Sequence, residues 1–383
     1  MALTPPTRVH QIVEGYAGEL WDLGQFLWAN PETSMKEATA HEKLCDFLER
    51  KGFKVTRRYV IDTAFKAEFS SPGGPNGPTI AFFCEYDALP EIGHACGHNL
   101  VAECAVGAAM AIKELMKELK NVQGKVVVMG TPGQEKFGGK EILLQNGAFE
   151  DMDAALLAHP AILDCVRLPL AASQQVRTRR TQPYIIAASV AKFCGFTGRH
   201  KNFAGVLLES GRNDIVMPET SRVVYHVRAP NVSELAVLIK RVEACIEAAA
   251  EATDCSMVLE KSMVYKNFVH NNALNAAYTK HAVDMGVTFT DPDDTLVVPS
   301  GASSDAGNAS HSLPCLHSMF AIASAGINHT RSFASAAGSL EAQAPARKAM
   351  MLLALTALDL YTDPKLMASV KQEFREWKAV QRP

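Results

Sequence analysis

The chain has 383 residues, 48% hydrophobic and 21% charged, with 38 Lys+Arg against 41 Asp+Glu and a formal net charge of −3. That balance excludes a general binder of nucleic acid or of anionic membranes, since either partner requires concentrated positive charge. The composition also excludes low-complexity disorder and collagen, and the length suits two domains.

Residues 8–29 and 37–51 have the apolar spacing of amphipathic helices, the second stopping at Lys51-Gly52. SSPGGPNGP (70–78) is a turn-rich connector into TIAFFC (79–84), a continuous apolar run of the kind that forms a buried strand. An alanine-rich helix is expected over 99–119. KVVVMG (125–130) and AALLA (154–158) are two more buried strands, the latter followed at once by His159-Pro160. Strands alternating with helices predict an α/β domain whose largely parallel sheet carries helices on both faces.

The middle of the chain reads differently. Residues 168–203 are basic and weakly periodic (RTRRTQPY), and no element is placed there. GVLLES (205–210), SRVVYHVRA (221–229) and CSMVLEK (255–261) read as strands around a helix from Val232 to Thr253, with Asn231 as cap and Glu234 completing a capping box. The expected organisation is therefore a larger domain in two parts, 1–167 and 268–383, interrupted by a smaller α+β module over 168–267. An apolar helix over 347–361 follows, too short to span a bilayer, and no run of about 18 apolar residues occurs. The cysteines number 9, odd and scattered, and MALTPPTRVH lacks the apolar stretch of a signal peptide. Reduced thiols in an intracellular, cytoplasmic protein are the expectation.

The densest chemical signal is CEYDALPEIGHACGHN (84–99), directly after a buried strand, where α/β enzymes place their ligands. Cys96-Gly97-His98 sets a thiolate and an imidazole two residues apart, with glycine letting both face one point. That pair suits zinc or a similar divalent metal, although a lone C-x-H is as readily a buried Cys beside a capping His. Two further strand ends offer ligand types: GTPGQE presents Glu135 and LLAHP presents His159. Three such strand ends predict a shared metal centre. GQEKFGGKE resembles a phosphate loop but has misplaced glycines, and Ser189-Val-Ala-Lys192 matches a catalytic S-x-x-K without companion motifs, so both are set aside.

CEYDALPEIGHACGHN, GTPGQEKFGGK, NGAFEDMDAALLAHP, PSGASSDAGNAS and INHTRSFASAAG together resemble the aminoacylase–carnosinase superfamily of peptidase M20-type metallohydrolases, most closely its Xaa-Arg (β-alanyl-lysine) dipeptidases. The resemblance covers about residues 10–365 apart from 170–205. It implies two divalent ions per chain, zinc or manganese, held by Cys96, His98, Glu135, His159 and His329, with Asp87 orienting the ligands from behind. It further implies hydrolysis of a dipeptide or N-acyl-amino-acid amide bond, with substrate contacts at Arg228, Ser303, Ser304 and Asp305. For the three loop residues, plain turn chemistry is an equal alternative. The resemblance also implies a homodimer formed through the inserted module, acting as a lid.

Two departures from the family pattern stand out. The family's general base, the first acid of a Glu-Glu pair, is here Gln134, and an amide cannot accept a water's proton at neutral pH. The family's lid blocks, including a substrate-binding histidine, are replaced by VRTRRTQPYIIAASVAKFCG in a shortened segment; His200 does not align with that histidine, and Ile215 stands where the family has Asn. The alternative to a dipeptidase acting on substrates with a basic C-terminal residue is thus a catalytically impaired relative that binds a small ligand or a partner.

Overall fold

The computed structural model describes residues 4–74, 76–180, 202–209, 220–291 and 302–380. His200, Ile215 and most of the replaced lid block lie outside the described residues. The chain divides into two compact units. Met1–Leu168, Val269–Val298 and Ala309–Pro383 form the larger, and Pro169–Phe268 with Pro299–Asn308 form the smaller.

The larger unit opens with helices α1 (Pro5–Ala29) and α2 (Ala38–Arg50), then strands β1 (Lys54–Arg57), β2 (Phe65–Ser70) and β3 (Thr79–Cys84). Helix α3 (His98–Glu118), β4 (Lys125–Gly130), the short α4 (Gly139–Gln145) and β5 (Ala154–Ala161) follow. The sheet order is β1-β2-β4-β3-β5-β10, where β10 is Cys315–Ala321; β4, β3, β5 and β10 run parallel, and β1 and β2 add an antiparallel edge. Every residue of β5 is buried, as the continuous apolar runs require of strands covered on both sides. One face packs under α3 and the later helix α9 (Gln343–Thr362); on the other, Phe83 meets Phe149, ring centroids 5.3 Å apart. The remaining helices are α6 (Asn272–Asp284), α8 (Arg331–Ala337) and α10 (Pro364–Val380).

The third strand is longer than its apolar run suggests. β5 pairs with β3 only as far as Phe82–Leu156, whereas its pairing with β10 continues to Ala161. Beyond Leu156 one side of β5 is therefore open, so Pro160, lacking an N–H, removes no bond from a second ladder.

The smaller unit is an antiparallel sheet in the order β7-β8-β6-β9, built from β6 (Ala172–Arg180), β7 (Asn202–Glu209), β8 (Ser221–Ala229) and β9 (Met257–Lys261). Alternate residues of β8, from Ser221 to Ala229, are buried, and helix α5 (Val232–Glu251) packs on β8 and β6. The Asn231 side chain accepts from the Glu234 N–H at 2.9 Å, as the N-cap of a capping box does, and its amide donates to the Glu234 carboxylate at 2.9 Å. Strand β6 falls where no element is legible in the sequence. Its polar text conceals a period-2 pattern, with Val176 and Thr178 buried and Arg177 half-buried, that only the ladders to β8 and β9 reveal. Pro299–Asn308, expected with the larger domain, packs instead with the smaller unit: Ala171 N–H donates to Ala302 O at 2.8 Å and Lys266 N–H to Asn308 Oδ1 at 3.0 Å. The short helix α7 (Ala306–Ser310) begins within this segment.

Candidate metal centre

The centre assembles where three parallel strands end. After β3 the chain runs through Glu85 and Asp87 to Cys96, Gly97 and His98; after β4 it reaches Gln134 and Glu135; His159 projects from β5 itself. His98 is the first residue of α3, and Gly97 ahead of it adopts φ +82. A side chain there is strained and has no room, because a Cβ would lie 2.5 Å from Pro160 Cγ and 3.3 Å from Phe333. Glycine thus brings the Cys96 loop down onto β5.

Cys96, His98 and His159 each offer a ligand atom within 4.8 Å of the others, and so do Cys96, Glu135 and His329. Cys96 belongs to both triads. The Cys96 Sγ–His159 Nε2 distance is 3.4 Å and the His329 Nε2–Glu135 Oε1 distance is 3.3 Å. Ligands about 2.0–2.3 Å from a tetrahedral ion stand roughly 3.3–3.8 Å apart, so both separations fit a common cation. Among the described residues the buried His98 Nε2, which faces the centre, has no hydrogen-bond partner.

The electrostatics fit the same occupant. Burial opposes ionisation of Cys96, but the adjacent His98 and His159 hold its thiol well below its usual range. Burial likewise opposes charge on His98, yet Cys96 and Asp87 hold its imidazole well above the usual value. His329, bonded to Cys96 and Glu135, is pushed up to about 11, while burial and the Cys96 charge raise Glu135 to about 7. These shifts favour a negative thiolate facing positive imidazoles, the kind of charge that a divalent cation would replace.

Behind these atoms lies a supporting layer. His98 Nδ1 donates to Asp87 O at 2.7 Å and Asp87 Oδ1 at 3.0 Å, which turns Nε2 toward the centre. Asp87 Oδ2 accepts from Ser34 Oγ at 2.7 Å and from the Glu135 N–H at 3.0 Å. His159 Nδ1 donates to Pro160 O at 2.9 Å, fixing its Nε2 toward Cys96. His329 has the left-handed φ of +68; its N–H donates to Ala95 O at 2.8 Å, and the neighbouring Asn328 side chain donates to Cys96 O and Pro160 O. Glu85, fully buried, pairs with the fully buried Lys140 at 2.5 Å, and its second oxygen stands 3.6 Å from His98 Nε2. Burial drives His94 down to about 4, so its imidazole is neutral. Ser34, Glu85 and Lys140 were not assigned to the centre from sequence.

The other expected substrate contacts lie on the smaller unit. Arg228, half-buried on β8, sits opposite Ser173 of β6, and Ser173 Oγ bonds Ser303 Oγ at 3.0 Å. Among the described residues Arg228 Nε has no hydrogen-bond partner, and burial lowers the guanidinium's pKa. Ser304 Oγ accepts from the Ala306 N–H at 3.1 Å, a local turn contact, and Asp305 is fully buried.

No family model matches the chain. Over 395 residues it is 34% identical to the Xaa-Arg dipeptidase of Mus musculus, spanning 96% of this chain and 91% of that one. The chain belongs to the Xaa-Arg dipeptidase family. The Homo sapiens member is 33% identical over the same shares of the two chains. One component of the p-aminobenzoyl-glutamate hydrolase of Escherichia coli is 30% identical across 67% of this chain and 60% of its own. Among solved structures, a Bacillus subtilis dinuclear metal-binding peptidase of the M20 family shares the fold, with a TM-score of 0.69 at 18% identity over 90% of this chain and 99% of that one. Xaa-Arg dipeptidase relatives and M20 peptidases are hydrolytic by name, and the larger unit has their mixed sheet with a separate smaller unit.

Proposed function

We propose that this member of the family hydrolyses the amide bond of dipeptides with a basic C-terminal residue, or of closely related N-acyl amino acids, using two divalent ions, zinc or manganese. The observation that carries the proposal is the pair of donor triads sharing one thiolate, since a bridging ligand between two sets of three is what a dinuclear centre needs. Cys96, His98 and His159 would hold one ion and Cys96, Glu135 and His329 the other. Such ions supply a water of lowered pKa and polarise the scissile carbonyl. The protein's part is positional. Asp87 fixes His98 from one side and the Glu135 backbone from the other. Arg228, a cation on the smaller unit with an unbonded Nε, is the candidate grip for the substrate's carboxylate.

Gln134, buried beside Glu135, can hold a water through its amide but cannot accept its proton. Loss of a general base typically lowers the rate about 10²–10⁴-fold. The proposal therefore predicts slow turnover, with Gln134→Glu raising kcat toward that of a full dipeptidase. Hydrolysis of a β-alanyl-lysine-type panel with added metal tests this, and a protein that binds no zinc, manganese or cobalt overturns it. Turnover absent in both forms, with metal bound, instead favours the second reading, a small-ligand binding relative.

Two coarser proposals accompany it. The buried free thiols Cys45, Cys84, Cys104, Cys165 and Cys315 suit a reducing compartment such as the cytoplasm. Exposed Val206, Leu208 and Val258 on edge strands of the smaller sheet suit a homodimer through that unit, which light scattering checks. Among the described residues no helix is long and apolar enough to cross a membrane.

A further inference from the structure

We propose that Glu37 is a positioning residue: its buried carboxylate fixes the loop that presents Glu135, and so sets the affinity of the Cys96–Glu135–His329 position independently of the other. The inference rests on the reading that both triads hold metal ions.

Glu37 immediately precedes α2 and is fully buried, yet its side chain makes no capping bond to that helix. Its bonds go elsewhere. Oε1 accepts from the Gly133 N–H at 2.9 Å and from the Met35 N–H at 2.8 Å, and Oε2 accepts from Thr63 Oγ at 2.9 Å. Gly133 lies two residues before Glu135 and adopts φ +71, a conformation open to glycine but strained for any residue with a side chain. The constraint is also steric. A Cβ on Gly133 would lie 2.7 Å from Met35 Cε, so the α1–α2 connection is packed directly against the Glu135 loop.

The same connection reaches the loop from a second direction. Ser34 donates to Asp87, whose other contact on that oxygen is the Glu135 N–H, and Ala88 N–H donates to Glu32 O at 2.8 Å. Glu135 is thus held through its own amide by Asp87, and two residues earlier through Gly133 by Glu37. None of the Glu37 hydrogen bonds among the described residues involves Cys96, His98 or His159. Burial and Asp87 raise Glu37 to about 7, but an oxygen of either the charged or the neutral carboxyl accepts from the loop amide, and removing it leaves that buried amide unpaired. Residues that orient metal ligands from behind commonly change affinity about 10–100-fold when lost.

The test is calorimetric titration of the apo protein with Zn²⁺, with bound metal counted by elemental analysis. Wild type is expected to take two ions. Glu37→Ala should weaken one of them about 10–100-fold and leave the other within about threefold. Glu37→Asp, which keeps the charge but withdraws it from Gly133, should give the same split and serves if the alanine variant does not fold. Glu37→Gln should stay near wild type, because an amide oxygen still accepts from Gly133 and Met35. In a His159→Ala background only the second position remains, and adding Glu37→Ala should weaken that single ion by the same factor of about 10–100. Equal weakening of both ions, or of neither, overturns the role of Glu37. A wild-type chain that binds fewer than two ions overturns the two-triad reading instead.

Discussion

Glu103→Gln should abolish a large pH dependence of stability. Glu103 lies in α3, fully buried where α1, α3 and α9 meet; a Cβ on Gly24 of α1 would lie 2.4 Å from its Oε2. Gln343 Nε2 donates to that oxygen at 3.1 Å, and among the described residues Oε1 has no hydrogen-bond partner. Burial pushes the carboxyl from 4.5 up to about 8, against the smaller opposing effects of Gln343 and Arg347. A folded-state pKa above the unfolded value means that the native chain holds a proton the unfolded chain releases. The associated stability is fully present below pH 4.5 and is lost as pH rises through about 8. Each pH unit inside that window corresponds to about 1.4 kcal/mol, so the whole window is worth on the order of 5 kcal/mol. An amide does not titrate, keeps the acceptor for Gln343 and has nearly the same volume. Urea unfolding at pH 5, 6, 7 and 8 should show the two proteins close at pH 5 and the variant increasingly more stable above it. Parallel pH profiles for the two would refute the assignment of a neutral carboxyl in this interface.

Other perturbations act at the centre itself. Gly97→Ala should destabilise the chain by about 2–5 kcal/mol, combining left-handed strain with overpacking against Pro160, and should lower metal content; urea midpoints and elemental analysis check both. Lys140→Met leaves Glu85 as an uncompensated buried charge and should cost about 3–5 kcal/mol in thermal or urea unfolding, with the Glu85→Gln/Lys140→Met double variant recovering most of it. Cys96→Ala should remove both ions, whereas His159→Ala should remove only one, because only the thiolate is common to the two triads; bound metal per chain decides.

What was legible in the sequence follows the range of the interactions. The β3, β4 and β5 strands are continuous apolar runs, and Cys96, His98, Glu135 and His159 stand at or just beyond their ends, so local pattern brings them together. His329 carries no such sign. It follows a loop, in a left-handed conformation, and only its resemblance to a family block marks it; the one local cue is Thr330, whose side chain caps α8. Strand β6 was hidden because its periodicity is written in polar residues whose ladders come from β8 and β9. The supporting layer was hidden for a related reason. Glu37 reaches Gly133 and Lys140 reaches Glu85 across long stretches of chain, and an isolated Glu or Lys on a helix end reads as surface until the fold buries it.

The charges also favour a thiolate as the shared ligand of the proposed centre. Four anionic groups approach the centre: Glu85, Asp87, Cys96 and Glu135. Glu85 is already committed to Lys140, and its free oxygen reaches only the edge of His98. Asp87 cannot turn to ligate without releasing both His98 and the Glu135 backbone, each held by one of its oxygens. Glu135 lies at the His329 side, with His98 Nε2 4.0 Å away. Cys96 is the residue common to both triads, and it sits on the Gly97 turn that fixes it there. With Gln134 in place of an acid, the open side of the centre carries one negative charge fewer than the family pattern would give it. An added carboxylate in the Gln134→Glu variant should therefore tighten metal binding as well as supply a base, and a rise in kcat without any change in metal affinity would separate the two effects.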